Sequence, residues 1–268
     1  MENFTFESVT LDRQGNILAR TSGVAIGYVE VAGSVDFEMV HIPGGSTHIG
    51  TLHGGYEDER PQHLISLAPF FMARALVTQA LWQAVMGRLT HCRFQRPDLP
   101  VENVSWVHAQ AFCRKLSKKT GRAYSLPSEA QWEHACRANT MTPFSTGETI
   151  TTDYANYVGE HCYAQETRGI YRHTPTPAGM FLPNPFGLYD MHGNLWEWCA
   201  DCWNADYQGA PVDGSAWQSE GERGYRVGRG GSWHEPPTNC RSATRLRLKE
   251  NEGDDFIGFR VITNEDFL

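Results

Sequence analysis

Three sets of residues in this 268-residue chain have the types and spacing to do chemistry. The first is Cys199-Ala-Asp-Cys202, a C-x-x-C pair beside Trp198 and Trp203. A zinc site would need two further ligands at short spacing, and none follows. A thioredoxin-like redox site would need the pair to open a helix within a βαβ unit. The pair therefore reads as buried free thiols. The chain has seven cysteines, an odd number at irregular spacing, and no secretion signal, so reduced thiols are expected. His91, His108, His134 and His192 are scattered and read as surface or hydrogen-bonded core side chains.

The second set is Asp190-Met-His-Gly-Asn-Leu-Trp-Glu197. In an extended loop alternate residues share a side, so Gly193, Leu195 and Glu197 can face together. The carboxylates of Asp190 and Glu197 and the carbonyls of Gly193 and Leu195 then form an all-oxygen set, which favours a structural Ca²⁺. The alternative is that both carboxylates cap local backbone N–H groups.

The third set follows Trp233. His234, Glu235, Pro236, Thr238, Thr244, Leu246, Leu248, Lys249, Glu250, Asn251, Glu252, Asp254, Asp255 and Phe256 show no period of 2 or 3.6. Leu246, Leu248 and Phe256, with Trp233, would make an apolar centre inside a polar rim, the layout of a protein-binding patch. Trp233, Ala243, Ile257 and Phe259 read as buried anchors, and Arg241 and Arg260 as loop braces.

The elements that position these sets are legible in places. Residues 4–10 and 17–20 alternate around a turn at 13–16 and predict a hairpin. Residues 24–31, 37–42, 63–67 and 70–74 read as strands, and 51–61 as a loop. Thr78 caps a helix through Met86 that Gly87 ends; Ser105 precedes a helix over 106–119 that Gly121 stops. Ser128 and Gln131 form a capping box for a third helix, whose inner face is Trp132, Ala135 and Cys136. Beyond Arg137, Gly, Pro, Asn and aromatic residues predict short strands and long loops that stacked rings, bound ions or both must pin.

Formal net charge is −8 and the sequence pI about 5.8, which argues against nucleic acid or an anionic membrane as partner. No stretch has the roughly 20 apolar residues needed to span a bilayer, and the N-terminus lacks a signal-peptide pattern. A cytoplasmic protein is expected, with residues 1–33 a small β extension and 34–268 the main domain.

Seven ordered blocks carry a resemblance. They are Met39-Val-His-Ile-Pro-Gly-Gly45, Val77-Thr-Gln-Ala-Leu-Trp82, Pro100-Val-Glu-Asn-Val-Ser-Trp106, Leu126-Pro-Ser-Glu-Ala-Gln-Trp-Glu133, Asn184-Pro-Phe-Gly-Leu-Tyr-Asp-Met-His-Gly-Asn-Leu-Trp-Glu-Trp198, Arg229-Gly-Gly-Ser-Trp233 and Ile257-Gly-Phe-Arg260. Over residues 37–262 the chain resembles the formylglycine-generating-enzyme (sulfatase-modifying factor) family. The resemblance implies an α+β, C-type-lectin-like fold with little regular secondary structure. It also implies calcium at the 190–197 loop and, on a poor match over 160–166, a second site at Asn156.

The family holds copper oxidases, iron-dependent sulfoxide synthases and ligand binders without chemistry. The copper enzymes carry a cysteine pair after the Gly-Gly-Ser-aromatic block, and two thiolates suit Cu(I). Here Glu235 takes the first cysteine's position and only Cys240 remains, so no copper and no catalysis are expected. The His-rich helical partner domain of the iron enzymes has no counterpart. The chain looks most like the variable proteins of diversity-generating retroelements, in which Gly-Gly-Ser-Trp, Arg-Ser-Ala and Ile-Gly-Phe-Arg bracket adenine-mutated codons. Residues of about 230–260 would then be variable, and the 14 residues from His234 to Phe256 named above would meet a ligand, expected to be a protein. The rival readings are a copper-dependent oxidase and a cytoplasmic regulatory module paired with a signalling effector.

Overall fold

The computed structural model describes residues 1–89, 92–218 and 221–265. Its elements in chain order are β1 Glu2–Leu11, β2 Ile17–Ala32, β3 Val35–Ile42, β4 Gly45–Ile49, β5 His63–Leu67, β6 Phe70–Ala73, α1 Gln79–Met86, α2 Trp106–Thr120, α3 Glu129–Arg137, β7 Trp196–Trp203, β8 Glu222–Arg229, β9 Arg245–Lys249, β10 Ile257–Gly258 and β11 Ile262–Thr263.

A five-stranded antiparallel sheet runs in the order β1-β2-β3-β6-β11. β2 joins its two halves, pairing first with β1 and then with β3. The partners change at Gly27, where a Cβ would lie 2.0 Å from the Met39 carbonyl oxygen. The hairpin expected at the N-terminus is thus continuous with the main sheet, and Phe4 and Ala25 pack with Trp132, Leu188 and Ile262. The stretches 17–20 and 24–31 are one strand. Residues 17–22 are exposed on both faces, which erased the alternation that marks a half-buried strand.

All three helices start at their expected caps, and the first two stop at their expected glycines, while α3 ends at Ala138 in the left-handed region. Thr78 Oγ1 accepts from Leu81 N, Ser105 Oγ from His108 N, and both halves of the Ser128–Gln131 capping box are present. Gly87 and Gly121 close α1 and α2 at φ +84° and +81°, a backbone region that suits glycine. Inside, Trp82 stacks on Phe112 at 5.5 Å, and Phe259 meets both rings edge-on.

The second sheet has the order β10-β7-β8-β9. Here the reading of the final stretch as unpatterned is corrected. Arg245-Leu-Arg-Leu-Lys249 is a period-two strand, paired with β8 through Tyr225↔Lys249 to Arg229↔Arg245. Residues 138–195 carry no helix or strand among the described residues. Side-chain amides hold them: Asn184 Oδ1 accepts from Phe186 N and Leu188 N while its Nδ2 reaches the Ala135 carbonyl, and Asn194 Oδ1 accepts from Thr176 N. No described helix is long and apolar enough to cross a membrane.

Candidate functional site

Four arginines frame the last third, and each meets a buried glutamate brought from elsewhere in the fold. Arg229 bonds Glu133 through Nη2 and the Thr244 carbonyl through Nη1. Arg241 forks onto Glu59 at 2.8 and 2.6 Å, Arg245 onto Glu129 at 2.7 and 3.0 Å, and Arg260 onto Glu197 at 2.6 and 2.7 Å. Glu129 and Glu133 are one helical turn apart on α3, so a single face supplies both carboxylates. Burial acts to raise the Glu129 pKa, but Arg245 and Arg229 outweigh it and hold the group below its usual value. Two-point guanidinium–carboxylate pairs fix orientation as well as position. Removing one partner of such a pair leaves an uncompensated buried charge and costs about 3–5 kcal/mol. Arg241 and Arg260 act as the expected braces. Arg229 and Arg245 were missed as braces, although the two glutamates at i and i+4 of a capped helix were visible in the sequence.

Between these anchors the 14 candidate ligand residues divide by exposure. His234, Thr238, Lys249, Asn251, Glu252 and Asp254 are exposed, and Glu235, Pro236, Leu246, Leu248, Glu250, Asp255 and Phe256 are half-buried. Thr244 is corrected: it is 2% exposed, donates to the Thr238 carbonyl and lends its own carbonyl to Arg229, so it belongs to the frame. The expected apolar centre is also corrected. Trp233 is buried against Leu76, Leu195, Phe94 and Tyr171, while Leu246, Leu248 and Phe256 pack on a separate core that contains Trp198 and Phe259. Several polar candidates are partnered: Glu250 with Arg226, Lys249 with Glu252, and Asp255 with Arg93. The Trp233 indole N–H donates to the Asp255 carbonyl at 3.1 Å and ties the 233–238 turn to the 249–256 loop. The Tyr171 hydroxyl pairs with His234 Nδ1 at 3.0 Å, which adds a residue that sequence reasoning did not place here.

The position of the missing cysteine is resolved. Glu235 accepts from Asn239 Nδ2 at 2.7 Å and from the Trp196 indole N–H at 3.4 Å. Cys240 is buried behind it, packed so closely on Gly231 that a Cβ there would sit 2.5 Å from the sulfur. Burial first, then the Glu235 carboxylate, pushes the Cys240 thiol well above its ordinary value. The thiolate that would bind Cu(I) is therefore disfavoured.

Cys199 and Cys202 lie on β7, where positions three apart face opposite sides. Cys199 is buried and its acidity suppressed, while Cys202 is half-exposed beside Arg226. His192 is a hydrogen-bonded core residue. Ser145 N donates to its Nε2 at 2.9 Å, so Nδ1 carries the proton and donates to the Cys240 carbonyl at 2.8 Å. Burial drops its pKa to about 4, which keeps it neutral. Cys136 lies 3.7 Å from that ring, and burial raises its thiol to about 12, so the two do not form an activated pair. His134 bonds the Pro43 carbonyl, His108 is exposed, and His91 lies outside the described residues.

The oxygen set at 190–197 passes part of a fit test for calcium. Asp190 sits at φ +55°; its Oδ2 accepts from Gly179 N at 2.7 Å, but its buried Oδ1 has no partner. Burial, with Glu197 nearby, lifts the Asp190 pKa to about 6, the signature of a carboxylate short of positive charge. Asn156 Oδ1 is likewise buried without a partner. Glu197, by contrast, is engaged by Arg260 and by the Trp132 indole N–H at 3.1 Å. Among the described residues no three His, Cys, Asp or Glu side chains group closely enough to hold a metal. An ion here would thus rest on Asp190, the spare capacity of Glu197, and the Gly193 and Leu195 carbonyls.

Residues 32–265 match the Sulfatase-modifying factor enzyme 1-like domain, and the chain belongs to that formylglycine-generating-enzyme family. A protein named serine/threonine-protein kinase pkn1 from Chlamydia caviae is 31% identical over 250 residues, covering 83% of this chain and 37% of that protein. This chain therefore spans well under half the length of that relative. Among solved structures, PvdO from Pseudomonas aeruginosa is 35% identical with a TM-score of 0.77, covering 88% of this chain and 98% of PvdO. Treponema denticola variable protein 1 is 27% identical with a TM-score of 0.78, covering 90% of this chain and 99% of the other. The fold is the formylglycine-generating-enzyme type of C-type-lectin-like domain, and the family match starts at residue 32, the last residue of β2, five residues after that strand changes partner from β1 to β3.

Proposed function

We propose that this chain is a non-catalytic ligand-binding protein, the diversified target of a retroelement, with a protein as ligand. The observation that carries the reading is the division between frame and face. Arg229, Arg241, Arg245 and Arg260 lock the backbone on either side, while His234, Thr238, Asn251, Glu252 and Asp254 project outward with little part in the core. A backbone fixed by other residues keeps a binding surface preorganised whatever side chains it bears. The similarity to a Treponema variable protein over nearly the whole chain supports the same reading. So does Glu235, which occupies the first cysteine's place and adds to the burial that suppresses the acidity of Cys240. Copper-dependent oxidation has the weaker support, and a titration of the reduced protein that finds stoichiometric, tight Cu(I) binding would restore it.

The test is joint replacement of the five outward residues. We expect the melting temperature to hold and ligand choice in a display selection to change; unfolding of such variants would overturn the reading. Calcium is proposed as a structural ion at Asp190, Gly193, Leu195 and Glu197. Its binding should be seen by calorimetry and should vanish in Asp190→Ala. Pairing with a signalling effector is a compatible role, in line with the kinase-named relative that is longer than this chain.

A further inference from the structure

A cavity of about 570 Å³ opens beside the recognition face but is built mostly from the constant part of the chain. Trp82, Met86 and Leu89 give it an apolar floor, and Arg88, His108 and Lys115 line it with Asn103, Ser105, Asn251 and Gly253. Among the described residues no carboxylate lines it, although the whole chain has 31 acidic residues against 23 lysines and arginines. Arg88, His108 and Lys115 form no ion pair among the described residues. Three of the four carboxylates of the overlying loop are paired with cations, Glu250 with Arg226 at 2.9 Å, Glu252 with Lys249 at 2.8 Å and Asp255 with Arg93 at 2.5 Å, while the fourth, Asp254, is exposed to solvent and accepts from the Asp255 backbone N–H.

Two further features favour negative charge here. The first turn of α2 brings the positive end of a 15-residue helix dipole to the wall at Ser105 and His108. The Trp82 indole N–H donates to the Arg88 carbonyl at 3.1 Å, which fixes the backbone that carries Arg88 at the rim. An apolar floor with a few convergent polar groups is the ordinary build of a small-molecule site. Uncompensated positive charge in a concave wall concentrates anions.

We propose that this cavity binds a small organic anion, with its apolar body on Trp82, Met86 and Leu89 and its carboxylate or phosphate head against Arg88, His108 and Lys115. The cationic groups, Arg88 and Lys115, come from outside the residues of the recognition face, so the assignment does not depend on the retroelement reading. Asn251 supplies one wall from the recognition loop, so changes at that position would adjust access to the cavity.

The test is calorimetric titration of the full chain at low salt with phenylacetate and with phenyl phosphate, using benzyl alcohol as the neutral control. We expect at least one anion to bind and the alcohol not to. Arg88→Gln/Lys115→Gln, both exposed positions, should weaken the bound anion by about tenfold or more, with the melting temperature unchanged. Whichever anion responds identifies the head group. Joint replacement of His234, Thr238, Glu252 and Asp254 should leave anion binding intact, which separates this result from that of the recognition face. Failure of both anions to bind, equal binding of the alcohol, or a smaller loss in the double variant would overturn the assignment.

Discussion

The arginine–glutamate frame and the runs it brackets are built by opposite rules. In the frame each charge is buried and met by a partner of fixed geometry, as with Arg260 on Glu197 or Arg241 on Glu59. In the runs the charged side chains pair at the surface, as Lys249 does with Glu252 at 54% and 66% side-chain exposure. Surface pairs of that kind contribute roughly 0–1 kcal/mol, whereas disrupting a buried pair costs several times more. The two regions alternate within a few residues of sequence. Tolerance of substitution should therefore follow a residue's depth rather than its place between the motifs.

The largest effect should come from cutting the frame. Glu133→Gln leaves Arg229 and Arg137 without their shared carboxylate, and urea denaturation should show a loss of about 3–5 kcal/mol. A loss within the range of surface pairs would break the comparison.

Next is Asp190, which tests whether the frame is complete without an ion. Its folded-state pKa of about 6 lies above the ordinary 3.8, so between these values the folded protein holds more protons than the unfolded one. Its contribution to stability is therefore fully present below about pH 4 and declines as the pH rises to about 6, by roughly 3 kcal/mol in all. In calcium-free buffer Asp190→Asn should remove that decline. Calcium added to the unaltered protein at neutral pH should recover stability.

Thr244 and Thr238 give a sharper contrast within the supposed variable set. Thr244→Asn enlarges a polar side chain at a buried position and should cost about 1–3 kcal/mol. Thr238→Asn, at an exposed position, should stay within about 0.5 kcal/mol. The smallest effect belongs to the five outward residues replaced together, where the melting temperature should move by no more than a few degrees. Circular dichroism on the same set of variants reads both.

Local signals were legible in the sequence and long-range ones were not. Helix caps at Thr78, Ser105 and Ser128 act over three residues, and all were readable. The motif blocks supplied the fold. The partners of the frame lie far apart in sequence, 182 residues for Arg241 and Glu59 and 116 for Arg245 and Glu129, and no local pattern joins them. Thr244 looked like a variable residue because its type belongs to the set that adenine mutagenesis yields; burial, which decides its role, is not written in its type. β9 went unseen although Arg245-Leu-Arg-Leu-Lys249 alternates charged and apolar residues, because five residues of alternation stood inside a longer stretch without a period, and the burial of Arg245 on the charged face depends on Glu129, far away in sequence. In the 190–197 loop both carboxylates were readable in the sequence, while the engagement of Glu197 by Arg260 could not be foreseen from the loop alone.

β9 is the outer strand of the second sheet, so part of the supposedly variable segment is an open sheet edge. Exposed edges invite a second chain to add as the next strand, and charged side chains are a common defence. Arg247 and Lys249 both lie exposed on this edge. If position 249 varies as proposed, Arg247 would keep the edge charged where 249 becomes apolar, and Arg247→Val in a Lys249→Val background should turn dispersed protein into aggregating protein, read by light scattering.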